Sequence, residues 1–226
     1  MVMRRVNYRT YTSFFATLLM VGCTDPHVKE AGAFAAQLIQ GTDYDIDVRK
    51  ASTGNVYALS IENAQWSSAY SDDDVLSVAG LAFYNNLPNP QDAQYIKMAV
   101  GKDSRIVSRT FTDAELKLAD ACIDRVSSFF KWHPREGVET LRSIVDPLFF
   151  PDSLIAKIGQ SVISQDSLDN VFVRSEVIGF KADTVVGIPV LTIKVNAVRK
   201  QNRRRYDAFV NQKDQRILLV VPAEKN

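Results

Sequence analysis

The stretch IPVLTIKVNAV, residues 188–198, decides the fold because it has the alternation of a β-strand. Leu191, Ile193, Val195 and Ala197 occur at every second position and are separated by polar residues. Successive side chains of a strand point to opposite faces, so this pattern gives the strand one apolar face and one polar face. The segment therefore predicts a β-strand.

Segments on both sides of this strand extend the β-pattern. They are Val171–Ile178, Phe180–Val186, Arg204–Val210 and Arg216–Val221. Sequential strands with short links pair antiparallel, so the C-terminal region is predicted to be an antiparallel meander. Two stretches with helical spacing, Glu136–Val145 and Asp152–Gln165, come directly before it. The expected class is α+β, with helices packed on an antiparallel sheet.

The N-terminal half mixes helices with shorter strands. Pro26–Gln40 is predicted to be an amphipathic helix, and strands are predicted at Asp43–Val48, Val56–Ile61, Tyr95–Val100 and Arg105–Phe111. The predicted buried face of the first helix consists of Val28, Ala31, Phe34, Ala35, Leu38 and Ile39.

Two further helices carry clear start signals. Ser71 precedes three aspartates, which suit the positive end of a helix dipole, and this helix is expected to run to about Asn86. Thr112 and Glu115 have the spacing of a capping box. The helix that follows Thr112 is expected to end before Pro134.

Composition excludes several classes of protein. The chain of 226 residues has 27 basic and 26 acidic side chains and is 46% hydrophobic, which is typical of a folded globular protein. Only two cysteines are present, Cys23 and Cys122, so a disulfide scaffold and a multi-cysteine zinc site are excluded. The nearly balanced charge gives no reason to expect nucleic acid as a partner.

The first 22 residues differ from the rest of the chain. Arg4, Arg5 and Arg9 form a basic segment without an acidic residue, and the short apolar stretch YTSFFATLLMV follows at residues 11–21. This stretch is shorter than the roughly 20 residues that a spanning helix needs, and it has the length of a signal-peptide core. It ends in Met20-Val21-Gly22-Cys23.

These residues resemble a bacterial lipoprotein precursor, in which an apolar residue, a small or medium residue, Gly and Cys form the lipobox. The resemblance implies that residues 1–22 are a cleaved leader and that Cys23 is acylated and holds the chain on a membrane. Met20 stands where the family usually has Leu. Loss of the leader removes three arginines and no acidic residue, so the formal charge changes from +1 to −2.

The resemblance also implies a location. In lipoproteins of bacteria with two membranes, Asp directly after the acylated Cys favours retention in the inner membrane. Thr24 occupies that position here, and Asp25 follows it. The expected location is therefore the cell envelope, at the outer membrane and facing the periplasm.

A composition shift near His133 suggests how the rest of the chain is divided. The predicted parts are a leader at 1–22, an N-terminal α+β region at 23–133, and a C-terminal region of helices and sheet at 134–226. Helices followed by an antiparallel sheet, over about Glu136–Val221, loosely resemble cystatin-like and NTF2-like folds. This likeness rests on the order of the elements alone.

No pattern in the chain indicates a catalytic, metal or cofactor site. Ser128 and Lys131 have S-x-x-K spacing, but the spacing falls in the last turn of a predicted helix, where a Lys suits the dipole. His27 and His133 stand far apart and lack metal-ligand spacing. Asp43, Asp45 and Asp47 mimic the start of a calcium loop, but the glycine and glutamate that such a loop needs are missing. We therefore assign no catalytic residue, metal ligand or cofactor.

One basic run remains as a candidate contact surface. Arg199, Lys200, Arg203, Arg204 and Arg205 fall within seven residues at a predicted hairpin tip. The run is either a solvated turn or a contact for anionic head groups or an acidic partner. The sequence thus favours a lipid-anchored envelope protein of the binding, scaffolding or assembly type. A lipid-anchored enzyme such as a cell-wall hydrolase is the alternative.

Overall fold

The computed structural model of the chain describes residues 25–66, 70–102 and 104–223. The predicted leader and Cys23 lie outside the described residues, as does Thr24. Within the described residues, no helix has the length and apolar character needed to cross a membrane.

Four strands form an N-terminal sheet. They are β1 (Asp43–Ala51), β2 (Gly54–Glu62), β3 (Ala93–Lys102) and β4 (Arg105–Thr112), and they lie in sequence order. β1 and β2 pair antiparallel, as do β3 and β4, whereas β2 and β3 run parallel. A parallel connection needs a crossover segment, and the helix between β2 and β3 supplies it.

Four strands form a C-terminal sheet. They are β5 (Phe172–Val185), β6 (Ile188–Arg199), β7 (Arg203–Asn211) and β8 (Ile217–Pro222). Each strand pairs antiparallel with the next along the chain. The predicted antiparallel meander and the α+β class are confirmed.

Five α-helices of the described residues accompany the two sheets. They are α1 (Pro26–Leu38), α2 (Asp72–Asn85), α3 (Asp113–Lys131), α4 (Val138–Arg142) and α5 (Asp152–Ser167). Both α2 and α3 contact strands of both sheets, and α1 packs on α2 and β1. The central helices therefore lie between the two sheets and give them a common core.

The hydrophobic core is continuous from one sheet to the other. It joins Leu59 and Ile96 of the N-terminal sheet with Leu116 of α3 and with Ile193 and Val210 of the C-terminal sheet. These residues come from both sides of residue 133. The predicted division into regions 23–133 and 134–226 stays a prediction.

The predicted N-cap at Ser71 is present, whereas the predicted capping box at Thr112 and Glu115 is only half formed. Ser71 and Asp74 form a complete capping box, in which each side chain accepts the backbone N–H of the other. Thr112 Oγ1 accepts the N–H of Glu115 at 3.1 Å. The Glu115 carboxylate, however, accepts a hydrogen bond from Arg109 at 2.5 Å, so this side chain serves an ion pair.

The first helix is oriented differently from the prediction. Phe34 and Leu38 were assigned to its buried face, but they are 49% and 48% exposed. The buried face consists largely of small residues, among them Gly32, where an added Cβ would lie 2.5 Å from Ile46 Cδ1. Close approach of the helix backbone to β1 turns the two large side chains outward.

The short helix α4 is also shorter than the predicted span Glu136–Val145. Gly137 has a φ of +86°, which ends the preceding turn and starts α4 at Val138. At the other end, Val145 leaves the helix and forms an isolated parallel bridge with Ile217. Pairing with the edge of β8 therefore replaces the last predicted helical turn.

Strand β5 corrects another prediction, because it is continuous where two strands were expected. The register to β6 shifts between Val177 and Gly179, which is a β-bulge and not a turn. A Cβ on Gly179 would lie 2.7 Å from the Cα of Asp74, so only glycine admits this contact with the start of α2. Gly179 is therefore a packing site within one continuous strand.

Polar contacts fix α2 to the C-terminal sheet at this bulge. Asp74 is 3% exposed, and its carboxylate lies 2.6 Å from Lys194 Nζ. Ser77 Oγ accepts the N–H of Phe180 at 3.0 Å and donates to the carbonyl of Asp74 at 2.9 Å. The backbone N–H of Phe180 in β5 is thereby satisfied by a helix instead of another strand.

Cys122 lies in the core on α3 and is fully buried. Burial raises the pKa of its thiol from about 9 to about 12, and the charge of Arg125 only partly offsets this effect. A thiol that keeps its proton and is shielded from solvent is a poor nucleophile.

Gly179→Ala should destabilise the protein by about 1–3 kcal/mol, because the new methyl group would overlap Asp74. Gly101→Ala is the matched control in another strand, since the nearest atom to its Cβ would be the Ile61 carbonyl oxygen at 3.7 Å. The control should change stability by less than about 0.5 kcal/mol. Urea unfolding measures both values, and equal effects would refute this account of the bulge.

The pKa shift of Cys122 predicts a pH dependence. The unfolded chain loses this thiol proton above about pH 9 and the native chain keeps it to about pH 12, so deprotonation favours the unfolded state in that window. The free energy of unfolding should therefore fall more steeply from pH 9 to 12 than in a Cys122→Ala variant.

In a Cys23→Ser background, Cys122 should also resist a thiol reagent at pH 8 until denaturant is added. Rapid reaction of the native protein would contradict the prediction.

Candidate functional site

The basic run is divided between the two faces of the C-terminal sheet. Only Lys200, Gln201 and Asn202 form the turn, while Arg199 ends β6 and residues 203–205 begin β7. Since successive strand residues alternate in direction, Arg203 and Arg205 share one face and Arg204 points to the other. The run is therefore not a single patch at a hairpin tip.

Four cations of the run have acidic partners. Arg203 lies 2.5 Å from Glu176, and Arg205 lies 3.9 Å from Asp74. Lys200 pairs with Asp169, and Arg199 lies 3.7 Å from Asp166. Much of the positive charge is thus compensated locally.

Arg204 differs from its neighbours. It is exposed, and its side chain forms no hydrogen bond or ion pair with any residue that the structure describes. It lines a small cavity between β6, β7 and α5. Arg204 is therefore the cation of the run that is best placed to meet a ligand.

An apolar groove lies beside this cavity, between the end of α3, α5 and the start of β5. The groove has a volume of about 250 Å³. Val171 and Val173 on its rim are 40% and 52% exposed. We define the apolar groove by the hydrophobic part of its lining, which consists of Phe130, Trp132, Val162, Val171, Phe172 and Val173. Charged or titratable side chains line the remainder, namely Lys131, His133, Asp166 and Arg199.

The small cavity has a volume of about 130 Å³ and a polar lining. We call it the polar pocket and define it by Ser161, Gln165, Asn202, Arg204 and Tyr206. Arg199 lines both the polar pocket and the apolar groove. The rings of Phe130 and Tyr206, one from each cavity, have centroids 5.1 Å apart. The two cavities are therefore adjacent and share a wall.

Asn170 holds the walls of this region together. Its side chain donates to Gln165 Oε1 at 2.6 Å and accepts the backbone N–H of Gln201 at 3.0 Å. Its backbone carbonyl oxygen accepts a hydrogen bond from Arg199 Nη1 at 3.0 Å. Asn170 is 4% exposed, so these bonds form in a water-poor setting and fix α5, the hairpin and Arg199 relative to one another.

His133 faces the same groove, but both of its ring nitrogens are engaged. Nδ1 accepts the N–H of Arg135 at 3.1 Å, and Nε2 lies 3.2 Å from Asp166 Oδ2. The ring therefore caps the turn after α3 and ties it to α5. A general base needs a nitrogen that can reach substrate, and this arrangement leaves neither nitrogen for that task.

The surroundings of the other sequence candidates do not indicate a metal site. Asp43, Asp45 and Asp47 are exposed along β1, as expected for a solvated strand face. Within the described residues, no group of three or more His, Cys, Asp or Glu side chains is arranged to hold a metal ion.

A larger cavity of about 430 Å³ lies near the start of α5. Arg142 lines it and pairs with Asp152 at 2.7 Å and with Glu139, and these carboxylates raise the pKa of Arg142. The cation in this cavity is thus already held between two acids. Arg216, which also lines it, is exposed.

Sequence reasoning missed the α5 side of the site. Ser161 and Gln165 are four residues apart, as are Val162 and Asp166, so each pair shares one face of the helix. That spacing was visible in the sequence. The contact of this face with the β6–β7 hairpin was not, because it depends on long-range packing through Asn170.

Comparison of the chain with models of protein families, with curated proteins and with solved structures gave no match in any of the three. The resemblance to cystatin-like and NTF2-like folds stays a prediction.

Proposed function

We propose that the chain is a lipid-anchored protein of the cell envelope that acts by binding, scaffolding or assembly. The observation that carries the binding role is the apolar groove, which has two exposed valines on its rim. Solvent-exposed apolar residues beside a preformed cavity are typical of a surface that receives a ligand or partner. The engaged nitrogens of His133 also favour binding over catalysis.

The anchor is supported by the basic segment, the short apolar core and the lipobox that ends at Cys23. The start of α1 adds a geometric argument. Asp25 caps the helix by accepting the N–H of His27 at 2.9 Å, and Pro26 begins it. Only Thr24 and Asp25 then separate an acylated Cys23 from the folded body, so the body would sit close to the bilayer surface.

The alternative function is that of an envelope enzyme such as a cell-wall hydrolase. One observation favours it: His133 and Asp166 face a common groove, with Ser161 in the adjacent pocket. The bond from Arg135 to Nδ1 counts against it, because a His–Asp pair that activates a hydroxyl needs its second nitrogen for the nucleophile. We therefore rank binding first.

The proposed location is the outer membrane, facing the periplasm, with the acylated Cys23 as the membrane contact. The proposed partners are the membrane itself and a protein of the envelope. Nucleic acid is not among them, because the chain has no net basic character to attract phosphate backbones.

Replacing Cys23 with Ser removes the thiol that would carry the acyl chains. We expect the wild-type protein to sediment with membranes and to be released by detergent but not by salt, because acyl chains bury apolar surface. The Cys23→Ser variant should be released from membranes or remain an uncleaved precursor. Fractionation and mass spectrometry of the N-terminus measure both results.

Cys122→Ala is the matched control for this experiment, since it removes the other cysteine from a buried site. It should leave membrane attachment unchanged. An N-terminus without acyl chains, or equal release of the two variants, would disprove the anchor.

Thr24→Asp tests the proposed sorting. The change places an acid directly after Cys23, where the lipoprotein resemblance implies retention in the inner membrane. The wild-type protein should fractionate with outer membranes on a density gradient, and the variant should move to inner membranes. A wild-type protein found solely in inner membranes would refute the proposed location.

A further inference from the structure

Two adjacent cavities, one apolar and one polar, indicate which kind of ligand the site binds. The apolar groove offers contact to hydrocarbon, and the polar pocket offers hydrogen-bond donors and an uncompensated cation. Arg199 and the Phe130–Tyr206 contact form the boundary between them. A ligand that fills both cavities must therefore carry an apolar part and a polar part joined over a short distance.

The polar pocket is suited to an anion. Arg204 contributes a charged donor without an acidic partner among the described residues. Because Gln165 Oε1 accepts from Asn170, the Nε2 amide of Gln165 is the group left to donate. Ser161 and Asn202 add a hydroxyl and an amide side chain. Donors from both α5 and the hairpin thus surround one small volume, which favours a compact oxyanion.

The sizes of the cavities limit the ligand. Since a water molecule takes about 30 Å³ in the liquid, the 130 Å³ pocket holds roughly four waters, or one acidic head group. The 250 Å³ groove lies below the range of about 300–1,000 Å³ that is usual for whole small-molecule ligands. It therefore accommodates a segment of a hydrocarbon chain and leaves the remainder outside, along the exposed valines.

We propose that the apolar groove and the polar pocket together bind an anionic amphiphile, with its acidic head group at Arg204 and its acyl chain between Val162 and Val173. This inference deepens the binding role proposed above and rests on it. It does not depend on acylation of Cys23. Such a ligand has two sources, a lipid within a bilayer and a free amphiphile, and they share the same head-group and chain chemistry.

The test uses the full chain with Cys23→Ser, so that no attached acyl group competes for the groove. The probes are dihexanoyl phosphatidic acid, dihexanoyl phosphatidylcholine with the same chains but no net charge, and inorganic phosphate without chains. Calorimetry gives the affinity, and hydrogen–deuterium exchange locates the binding. We expect protection at residues 161–173 and 199–206, and binding to the leader would instead protect residues 1–22.

Variants separate a specific site from general charge attraction. Arg204→Gln should weaken the binding of phosphatidic acid about tenfold, because it removes a charge-assisted contact to the head group. Arg216→Gln is the matched control, since it makes the same change of net charge at an exposed arginine in another cavity. It should leave the affinity unchanged. Equal losses in the two variants would overturn the proposal.

The groove is tested in the same way. Val173→Asp places an acid on the exposed rim and should weaken phosphatidic acid binding about tenfold, whereas Leu219→Asp, at an exposed apolar site on β8, should not. Both positions are at least 44% exposed, so neither change should unfold the protein. Inorganic phosphate that binds as tightly as phosphatidic acid, or indifference to Val173→Asp, would overturn the amphiphile proposal.

Vesicles of phosphatidylcholine with and without phosphatidylglycerol show whether the ligand is a bilayer lipid or a free amphiphile. Binding to anionic vesicles that is lost in Arg204→Gln and weakened by salt supports a bilayer lipid. Binding of the monomeric probe with vesicle binding unaffected by Arg204→Gln supports a free amphiphile. If Cys23 proves unacylated while the probe binds, only the anchor fails. If neither the probe nor the vesicles bind at this site, the amphiphile proposal fails and the anchor stands.

Discussion

The contact between the start of α2 and the bulge of β5 is the constraint on which the rest of the structure depends. Asp74 packs on Gly179 and forms an ion pair with Lys194, while Ser77 accepts the backbone N–H of Phe180 in β5. Breaking a buried ion pair by removing one partner typically costs about 3–5 kcal/mol. This junction fixes α2 between the two sheets, and with it the orientation of the C-terminal sheet that carries the β6–β7 hairpin.

Much of the fold could be predicted because it depends on local patterns. The strand at residues 188–198 and the N-caps at Ser71 and Thr112 follow from neighbouring residues, and the structure confirms them. The polar face of that strand is nevertheless buried at Thr192 and Asn196. The errors occurred where tertiary packing overrides local signals. Phe34 and Leu38 fit a buried helical face by spacing, yet the small residue Gly32 lets the backbone approach β1 and turns them outward.

The site was harder to predict for the same reason. The basic run was visible, but its division between two faces depends on where the turn falls, and a shift of one residue would exchange Arg204 with Arg203 and Arg205. The acidic partners come from distant segments, such as Asp74 and Asp166. No local pattern indicates that Asn170 joins α5 to the hairpin.

The ion pairs of the basic run limit how this surface can recognise an anionic ligand. An ion pair in contact has little field beyond a Debye length of about 8 Å at physiological ionic strength, so four paired cations provide weak long-range attraction. A surface of this kind does not gather ligands by electrostatic steering. Recognition must instead occur at contact, where Arg204 can supply charge and the groove beside it can supply apolar area. Selectivity then depends on a ligand that contacts Arg204 and the apolar groove at the same time, since neither contact alone is large enough for tight binding.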